Sequence, residues 1–126
     1  MIKIKGMMIA LAHDYRIQLA GRGFMCAPEI ELKMPIPPPE LVLFQHAMAP
    51  ADYFETILAK RWDGAESYRR GLAHATGSEQ EIEAALVALC NRVAHLGVDR
   101  ANMAIFKNDA KGHVARGLRT YFEAKL

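Results

Sequence analysis

Residues 23–40 read GFMCAPEIELKMPIPPPE, an apolar segment that ends in closely spaced prolines. One carboxylate in this segment, that of Glu29, directly follows Pro28. A solvated loop would normally contain more polar residues, and an unpaired carboxylate is costly to bury. Two interpretations therefore remain open: Glu29 points into water at the end of a strand, or it is held among apolar side chains for acid–base chemistry.

The composition limits the class of protein. The chain has 126 residues, which fits one domain, and it is 52% hydrophobic and 24% charged, as folded soluble proteins are. Its 16 Lys and Arg are interspersed with 14 Asp and Glu, so the net charge of +2 indicates a solvated surface and no nucleic-acid partner. Cys26 and Cys90 lack zinc-ligand spacing, which favours reduced thiols in an intracellular compartment.

The amino terminus, MIKIKGMMIALA, has the charge and the apolar run of a secretory signal peptide. The apolar run is too short, however, and His13 and Asp14 follow it directly. We therefore expect neither a cleaved signal nor a membrane-spanning segment.

Local patterns predict a chain dominated by helices, with a few short strands. We expect a buried helix over 6–12, strands over 15–20 and 24–26, and helices over 40–48, 51–59 and 65–70. The clearest helix follows Ser78, which forms a capping box with Glu81. Its apolar residues share one face: Ile82, Leu86, Leu89, Val93 and Leu96. Asp99 is expected to cap another helix to about residue 110, and Gly112 to separate it from a last one.

The sequence lacks the motifs of several classes of site. It contains no phosphate-binding glycine loop and no G-x-S-x-G nucleophile motif. The five histidines never stand at metal-ligand spacing, so no metal site is predicted. Glu29 and its apolar surroundings are therefore the one constellation on which a function can be based.

Three segments together resemble a known family. They are GMMIALAHDYRI at 6–17, RGFMCAPEIELKMPIPP at 22–38 and DGAESYRRGL at 63–72. Their order and spacing are similar to the crotonase superfamily, most of all to its enoyl-CoA delta-isomerase and hydratase group. The resemblance implies an α/β, truncated crotonase-like fold that corresponds only to the family's C-terminal half. It implies a single domain, 1–126, with a partial core and the active-site segment in 1–75 and a C-terminal helical region in 76–126.

The resemblance also implies residue roles. The family's catalytic glutamate falls on Glu29, and one of the two backbone N–H donors of its oxyanion hole falls near Lys5 and Gly6. The loop that carries the other donor lies in the half that the chain does not match. The substrate-binding residues implied in this way are Lys5, Gly6, Phe24, Met25 and Met34. Together with Ile30 and Ile36, the apolar ones among them are expected to keep the site dry and to raise the pKa of Glu29.

Three positions depart from the family's pattern. Lys5 replaces a small residue, Lys33 replaces a glycine, and Met8 stands where the hydratases carry a second catalytic glutamate. A single carboxylate is better suited to moving a proton between two carbons of one substrate than to activating water as well. Within the family we therefore expect an isomerase rather than a hydratase.

The expected function is that of an enoyl-CoA delta-isomerase, which shifts the double bond of a 3-enoyl-CoA to the 2-position in fatty acid metabolism. Coenzyme A would be part of the substrate, and no separate cofactor is expected. Two alternatives remain. One is an enoyl-CoA hydratase, and the other is a catalytically inactive remnant that serves as an assembly or acyl-CoA-binding module.

Assembly and location can also be predicted. The family forms trimers and hexamers, and the apolar residues here exceed what a small core needs, so we expect a homo-oligomer. Those residues are the apolar face within 82–96 together with Met103, Ile105, Phe106, Val114, Leu118 and Phe122. The ending Ala124-Lys125-Leu126 resembles the S-K-L peroxisomal signal. We expect the peroxisomal matrix for a eukaryotic source and the cytoplasm for a bacterial one.

Overall fold

The computed structural model describes the backbone of residues 4–125 and the side chains of residues 6–125. Two features named above lie outside the described residues: the side chain of Lys5 and the final Leu126 of the peroxisomal signal. Within the described part, no helix is both long enough and apolar enough to cross a membrane.

The architecture is a set of helices around a small parallel sheet. The elements run α1 (Ile4–Ala12), β1 (Ile17–Leu19), α2 (Pro38–Ala47), α3 (Pro50–Ile57), α4 (Gly64–Arg69), β2 (Ala75–Gly77), α5 (Glu79–Val93), a 3₁₀ segment (Ala94–Val98) and α6 (Arg100–Glu123). The chain is 62% helical, which confirms the mostly helical α/β class. Most helices were predicted within a few residues of their observed bounds.

The two strands are parallel, with Ile17 opposite Ala75 and Leu19 opposite Gly77. Parallel neighbours need a long crossover, and α2, α3 and α4 supply it. Helix α4 lies directly against the strands, because a Cβ on Gly64 would come within 2.5 Å of the Leu19 carbonyl oxygen. Glycine is therefore required at the start of this helix.

The strand predicted over 24–26 is reduced to one antiparallel bridge. The backbone N–H of Met25 donates to the Trp62 carbonyl at 2.9 Å, and the N–H of Trp62 donates to the Met25 carbonyl at 2.8 Å. This bridge fixes the segment before Glu29 against the segment before α4.

The hydrophobic core lies between α1, α2 and this bridge. Its buried members include Met7, Leu11, Met25, Leu43, Phe44, Trp62, Leu72 and Val114. Val114 is the contribution of α6, which packs on α2. Burial of this set stabilises the part of the chain that carries Glu29.

The prediction that Gly112 separates two helices is wrong. Helix α6 runs unbroken over 24 residues, and Gly112 lies inside it. A glycine in a helix interior costs only about 1 kcal/mol relative to alanine. Here that cost is offset by packing on α2 and by ion pairs from Lys107 and Lys111 to Asp14, at 2.6 and 2.7 Å. Tertiary contacts therefore override the local signal.

Helix α5 begins as predicted but is not buried as predicted. Ser78 Oγ accepts from the Glu81 backbone N–H, and the Glu81 side chain accepts from the Ser78 backbone N–H, which completes the capping box. None of the helix's residues is buried, however, and Leu86 keeps 49% of its surface exposed. The periodicity predicted the helix correctly but not a partner for its apolar face.

Candidate active site

Glu29 lies in a compact turn rather than at the end of a strand. The backbone N–H of Leu32 donates to the Pro28 carbonyl at 3.1 Å, and that of Met34 donates to the Glu29 carbonyl at 2.9 Å. The segment is therefore curled, so Glu29 and Glu31 do not share the face that an extended strand would give them. Pro28, at the start of this turn, has no backbone N–H that could donate to a neighbouring strand.

Lys33, in the same turn, has a left-handed backbone with φ = 55°. This is the position at which the family resemblance calls for a glycine. A non-glycine residue costs about 1–2 kcal/mol in this conformation. The backbone therefore keeps the turn that a glycine would favour, although the side chain is lysine.

The Glu29 side chain does not point into water. The residue is only 7% exposed, and its Oε2 atom has no hydrogen-bond partner among the described residues. Burial raises the pKa of this carboxyl group, and a hydrogen bond from its own backbone opposes the rise. The side chain is thus a buried acid whose ionised form is only weakly stabilised by its surroundings.

The apolar residues around Glu29 are more exposed to solvent than expected. Met25 is buried and Phe24 is half-buried. Ile30 and Met34, in contrast, are 54% and 59% exposed. These two residues therefore do not exclude water in this chain, and they leave an apolar surface beside the carboxylate.

Cys26, three residues before Glu29, is a structural thiol. Its Sγ atom is buried and donates to the Ala59 carbonyl at 3.3 Å. Burial raises the pKa of the thiol, and the charges of Arg61, Glu31 and Glu29 also act on it. A thiol with a raised pKa is a poor nucleophile at neutral pH.

Arg61 is a residue that the sequence reasoning missed. Its Nη1 and Nη2 atoms donate to the two carboxylate oxygens of Glu31 at 3.2 and 3.1 Å. Its guanidinium group also lies 5.6 Å from the centre of the Phe24 ring. No local pattern predicts this contact, because it depends on the bridge between two segments that are distant in sequence.

The predicted oxyanion donors lie at the start of a helix. Lys5 and Gly6 are the second and third residues of α1, where backbone N–H groups have no partner within the helix. Gly6 is half-buried. Free N–H groups and the helix dipole favour negative charge at this end of α1.

A polar cleft of about 420 Å³ lies away from Glu29, at the C-terminal end of α1. It gathers His13, His46 and His74, which are far apart in sequence, with Arg16 and Lys111. Most of its polar atoms form hydrogen bonds or ion pairs with neighbouring residues. Lys111 binds Asp14 and the Ala12 carbonyl, and Arg16 donates to the carbonyls of Leu72 and His13. Among the described residues no group of three ligands could hold a metal. The contacts of Lys111 and Arg16 join α6 and the start of β1 to the end of α1.

The fold is similar to that of several solved enzymes. An enoyl-CoA hydratase/isomerase family protein from Pseudomonas syringae superposes with a TM-score of 0.84 at 18% identity, over 98% of this chain and 53% of that one. The chain has the crotonase fold. Human mitochondrial delta3-delta2-enoyl-CoA isomerase matches with a TM-score of 0.81 at 19% identity, over 98% of this chain and 48% of that one.

An enoyl-CoA hydratase from Mycobacterium ulcerans matches with a TM-score of 0.78 at 18% identity, over 94% of this chain and 51% of that one. The crotonase-fold chain described here thus spans about half the length of the solved proteins that it matches. Comparison of the sequence alone finds no matching family model and no similar curated protein. Identities of 18–19% support the fold, and the activity has to be argued from the site.

Proposed function

We propose that the chain carries the catalytic base of an enoyl-CoA delta-isomerase, and that Glu29 is this base. The observation that carries the proposal is the burial of the Glu29 carboxyl group, one oxygen of which has no hydrogen-bond partner in the part of the chain that the structure describes. An acid in such a setting has a raised pKa, as a general base near neutral pH requires. The crotonase fold, shared with a delta3-delta2-enoyl-CoA isomerase, supports the choice of reaction.

The proposed reaction moves one proton within one substrate. The Glu29 carboxylate takes a proton from C2 of a 3-enoyl thioester, and the C–H electron pair spreads onto the thioester oxygen as a dienolate. The protonated Glu29 then returns the proton to C4, and the electrons return to form the C2–C3 double bond. The carboxylate is regenerated, so no oxidant, metal or second substrate is required.

The dienolate oxygen needs a hydrogen-bond donor, and the start of α1 is our candidate for it. We assign this role to the backbone N–H groups of Lys5 and Gly6, which lie in the first turn of the helix. Losing one such donor typically lowers a rate by roughly 10²–10³-fold. The exposed side chains of Ile30, Leu32 and Met34 beside Glu29 offer apolar surface to the acyl chain.

The identity of residue 8 supports an isomerase over a hydratase. Met8 is half-buried on α1, in the place where the family resemblance puts the hydratases' second glutamate. A thioether cannot activate water, whereas a proton shuttle between C2 and C4 needs only Glu29. The solved structures that match this chain include both hydratases and isomerases, so residue 8 and Glu29 are what favour an isomerase.

The test is the ultraviolet absorbance of the conjugated 2-enoyl thioester formed from a 3-enoyl-CoA. Glu29→Gln keeps the shape of the side chain and removes the base, so we expect turnover to fall by several orders of magnitude. Glu83→Gln, at an exposed glutamate on α5, is the matched control and should leave the rate unchanged. Equal rates for wild type and Glu29→Gln would disprove the assignment.

A second candidate, an assembly module, is favoured by the exposed apolar residues of α5, the 3₁₀ segment and α6. Leu86, Val87, Leu96, Val98, Ile105 and Phe106 are each between 49% and 82% exposed. Such exposure on several neighbouring elements is unusual for a monomer. We propose that copies of this chain pack through these helices, as a trimer or hexamer. Sedimentation as a folded monomer at micromolar concentration would count against it.

A further inference from the structure

Arg16 and His74 exchange two hydrogen bonds where the small sheet begins. The backbone N–H of His74 donates to the Arg16 carbonyl at 2.7 Å. In return, the backbone N–H of Arg16 donates to Nδ1 of the His74 ring at 3.1 Å. A ring nitrogen can accept only when it carries no proton, and both nitrogens carry one in imidazolium. The second hydrogen bond therefore requires a neutral His74 with its proton on Nε2.

The side chains of Arg16 and Tyr15 complete this junction. The Nε and Nη1 atoms of Arg16 donate to the carbonyls of Leu72 and His13, so the end of α1 is tied to the segment before β2. The Tyr15 ring meets the His74 ring edge to face, with 5.1 Å between their centres. The orientation of the His74 ring is thus fixed by the two residues that precede β1.

We propose that His74 makes this junction sensitive to pH: protonation of its Nδ1 atom releases the backbone N–H of Arg16 and weakens the attachment of the end of α1 to the segment before β2. At neutral pH the ring acts as an acceptor that holds the start of β1. In mild acid the same ring becomes a cation with no lone pair to offer, and one of the two hydrogen bonds between Arg16 and His74 is lost.

The surroundings of the His74 ring favour its neutral form. The ring lines two clefts, and the charged or titratable residues that line them with it come from every element beside it: His13 and Asp14 after α1, Tyr15 and Arg16 before β1, His46 on α2, Arg92 on α5 and Lys111 on α6. The one carboxylate in this set, that of Asp14, is already paired with Lys107 and Lys111 at 2.6 and 2.7 Å. The other permanent charges are positive, so they oppose a second cation at His74.

The pKa of His74 determines the direction of the effect. Burial lowers this pKa below its ordinary value of 6.5, the charges of Arg16 and Arg92 lower it further, and the Arg16 backbone opposes the change. The unfolded chain therefore binds this proton more readily than the folded chain does. The stabilisation from the neutral ring is fully present above pH 6.5 and is lost as the pH falls through the folded pKa.

The experiment is an NMR titration of the full chain from about pH 7.5 to about pH 5, the range in which histidine changes charge. It follows the His74 ring and the backbone amide of Arg16. We expect the Arg16 amide shift to change with the same midpoint as the His74 ring. The protection factor of this amide, corrected for intrinsic exchange, should fall by about 2- to 10-fold, as the loss of one hydrogen bond implies. The amide of Ala20, which donates to the Gly77 carbonyl at 2.8 Å, is the reference and should not follow that midpoint.

Two variants separate the acceptor from the charge. His74→Asn offers a carbonyl oxygen in place of Nδ1 and does not titrate, so the Arg16 amide should stay protected over the whole range. His74→Phe keeps a ring but has no acceptor, so that amide should be poorly protected at every pH. His46→Gln removes another titrating ring of the same cleft and should leave the Arg16 titration as in wild type. The urea midpoint of wild type should fall relative to that of His74→Asn as the pH is lowered.

Three results would overturn the proposal. The first is an Arg16 amide that stays protected while the His74 ring titrates. The second is a His74 midpoint at or above 6.5, since the imidazolium would then have a stabilising acceptor, such as the Arg16 carbonyl. The third is an acid-dependent loss of Arg16 protection in His74→Asn, which would assign the effect to another group. If His74→Phe does not fold, wild type and His74→Asn still decide. Neither readout needs turnover, so the outcome is independent of the isomerase assignment.

Discussion

The indole Nε1–H of Trp62 donates a hydrogen bond to Thr56 Oγ1 at 2.9 Å, and both side chains are fully buried. The Thr56 hydroxyl in turn donates to the Asp52 carbonyl at 2.7 Å. This short network connects α3 to the bridge before α4. It links the stability of the core to the segment that holds Arg61.

Replacement of Thr56 by Val should destabilise the fold by about 1–3 kcal/mol, because the buried indole N–H would lose its acceptor. Thr56→Ser keeps the hydroxyl and loses one methyl group, so its cost should be smaller, about 1 kcal/mol. Urea unfolding followed by tryptophan fluorescence measures both variants. Equal losses for the two would show that the hydrogen bond is unimportant.

Replacement of Glu29 by Gln should increase stability at neutral pH. Burial raises the pKa of Glu29 in the folded state above its ordinary value of 4.5. The stabilisation that the protonated side chain allows is fully present below that pH. It is lost as the pH rises through the folded pKa, because the buried carboxylate then ionises. Glutamine carries no charge at any pH. The urea midpoint of the variant should therefore exceed that of wild type at pH 8 and equal it near pH 4.

This expectation has a clear contrary result. If Glu29→Gln is less stable than wild type at pH 8, the carboxylate has a stabilising partner when ionised. Desolvation would then not raise the pKa of Glu29 as a general base requires, whatever the effect on turnover. If Glu29→Gln is more stable than wild type but loses turnover, the carboxylate lowers the stability of the fold while it supports activity. This trade-off is expected of an active-site residue.

Replacement of Lys33 by Gly should stabilise the fold by about 1 kcal/mol, because φ = 55° is unfavourable for any residue with a Cβ. Lys33→Ala is the matched control, since it removes the same long side chain but retains the Cβ. We expect no gain from it. Thermal unfolding of both variants distinguishes backbone strain from loss of the lysine charge.

Replacement of Asp14 by Asn should lower stability at neutral pH. Hydrogen bonds from Lys107 and Lys111 lower the pKa of Asp14 to about 2, against an ordinary value of 3.8. The stabilisation is therefore present above pH 3.8 and lost as the pH falls to about 2. Because the carboxylate is partly exposed, we expect a loss of about 1 kcal/mol or less.

The measurement is the difference in urea midpoint between wild type and Asp14→Asn at pH 7 and at pH 2. Asp109→Asn, on the exposed side of α6, is the control and should have little effect. A difference that persists at pH 2 would mean that Asp14 acts through packing rather than through charge.

The sequence predicted features that depend on near neighbours. The capping box of Ser78 and Glu81 and the cap at Asp99 are both contacts over three residues, so local chemistry determines them. The same holds for helices α1 to α5, whose apolar periodicity and flanking prolines are visible in the chain. The fold class followed from these elements together with the family resemblance.

Features that depend on distant pairing were not predicted from the residues. Strand β2 is too short and too polar to have a signal of its own, and it exists because Ile17 and its neighbours pair with it. The Arg61–Glu31 contact likewise follows from the Met25–Trp62 bridge. For the site, burial of Glu29 was one of two open interpretations, whereas the curled turn and the exposure of Met34 became clear only in three dimensions.

The pairing of β1 with β2 also closes a long loop of the chain, which has an entropic cost. The backbones of Arg16 and His74 meet at the edge of this sheet, 58 positions apart, and Glu29, Arg61 and Trp62 all lie within the intervening loop. Closing a loop of that length costs about 3–4 kcal/mol in chain entropy before any contact inside it is formed. The contacts that the chain makes on folding, among them the Met25–Trp62 bridge inside this loop, have to offset that entropic cost.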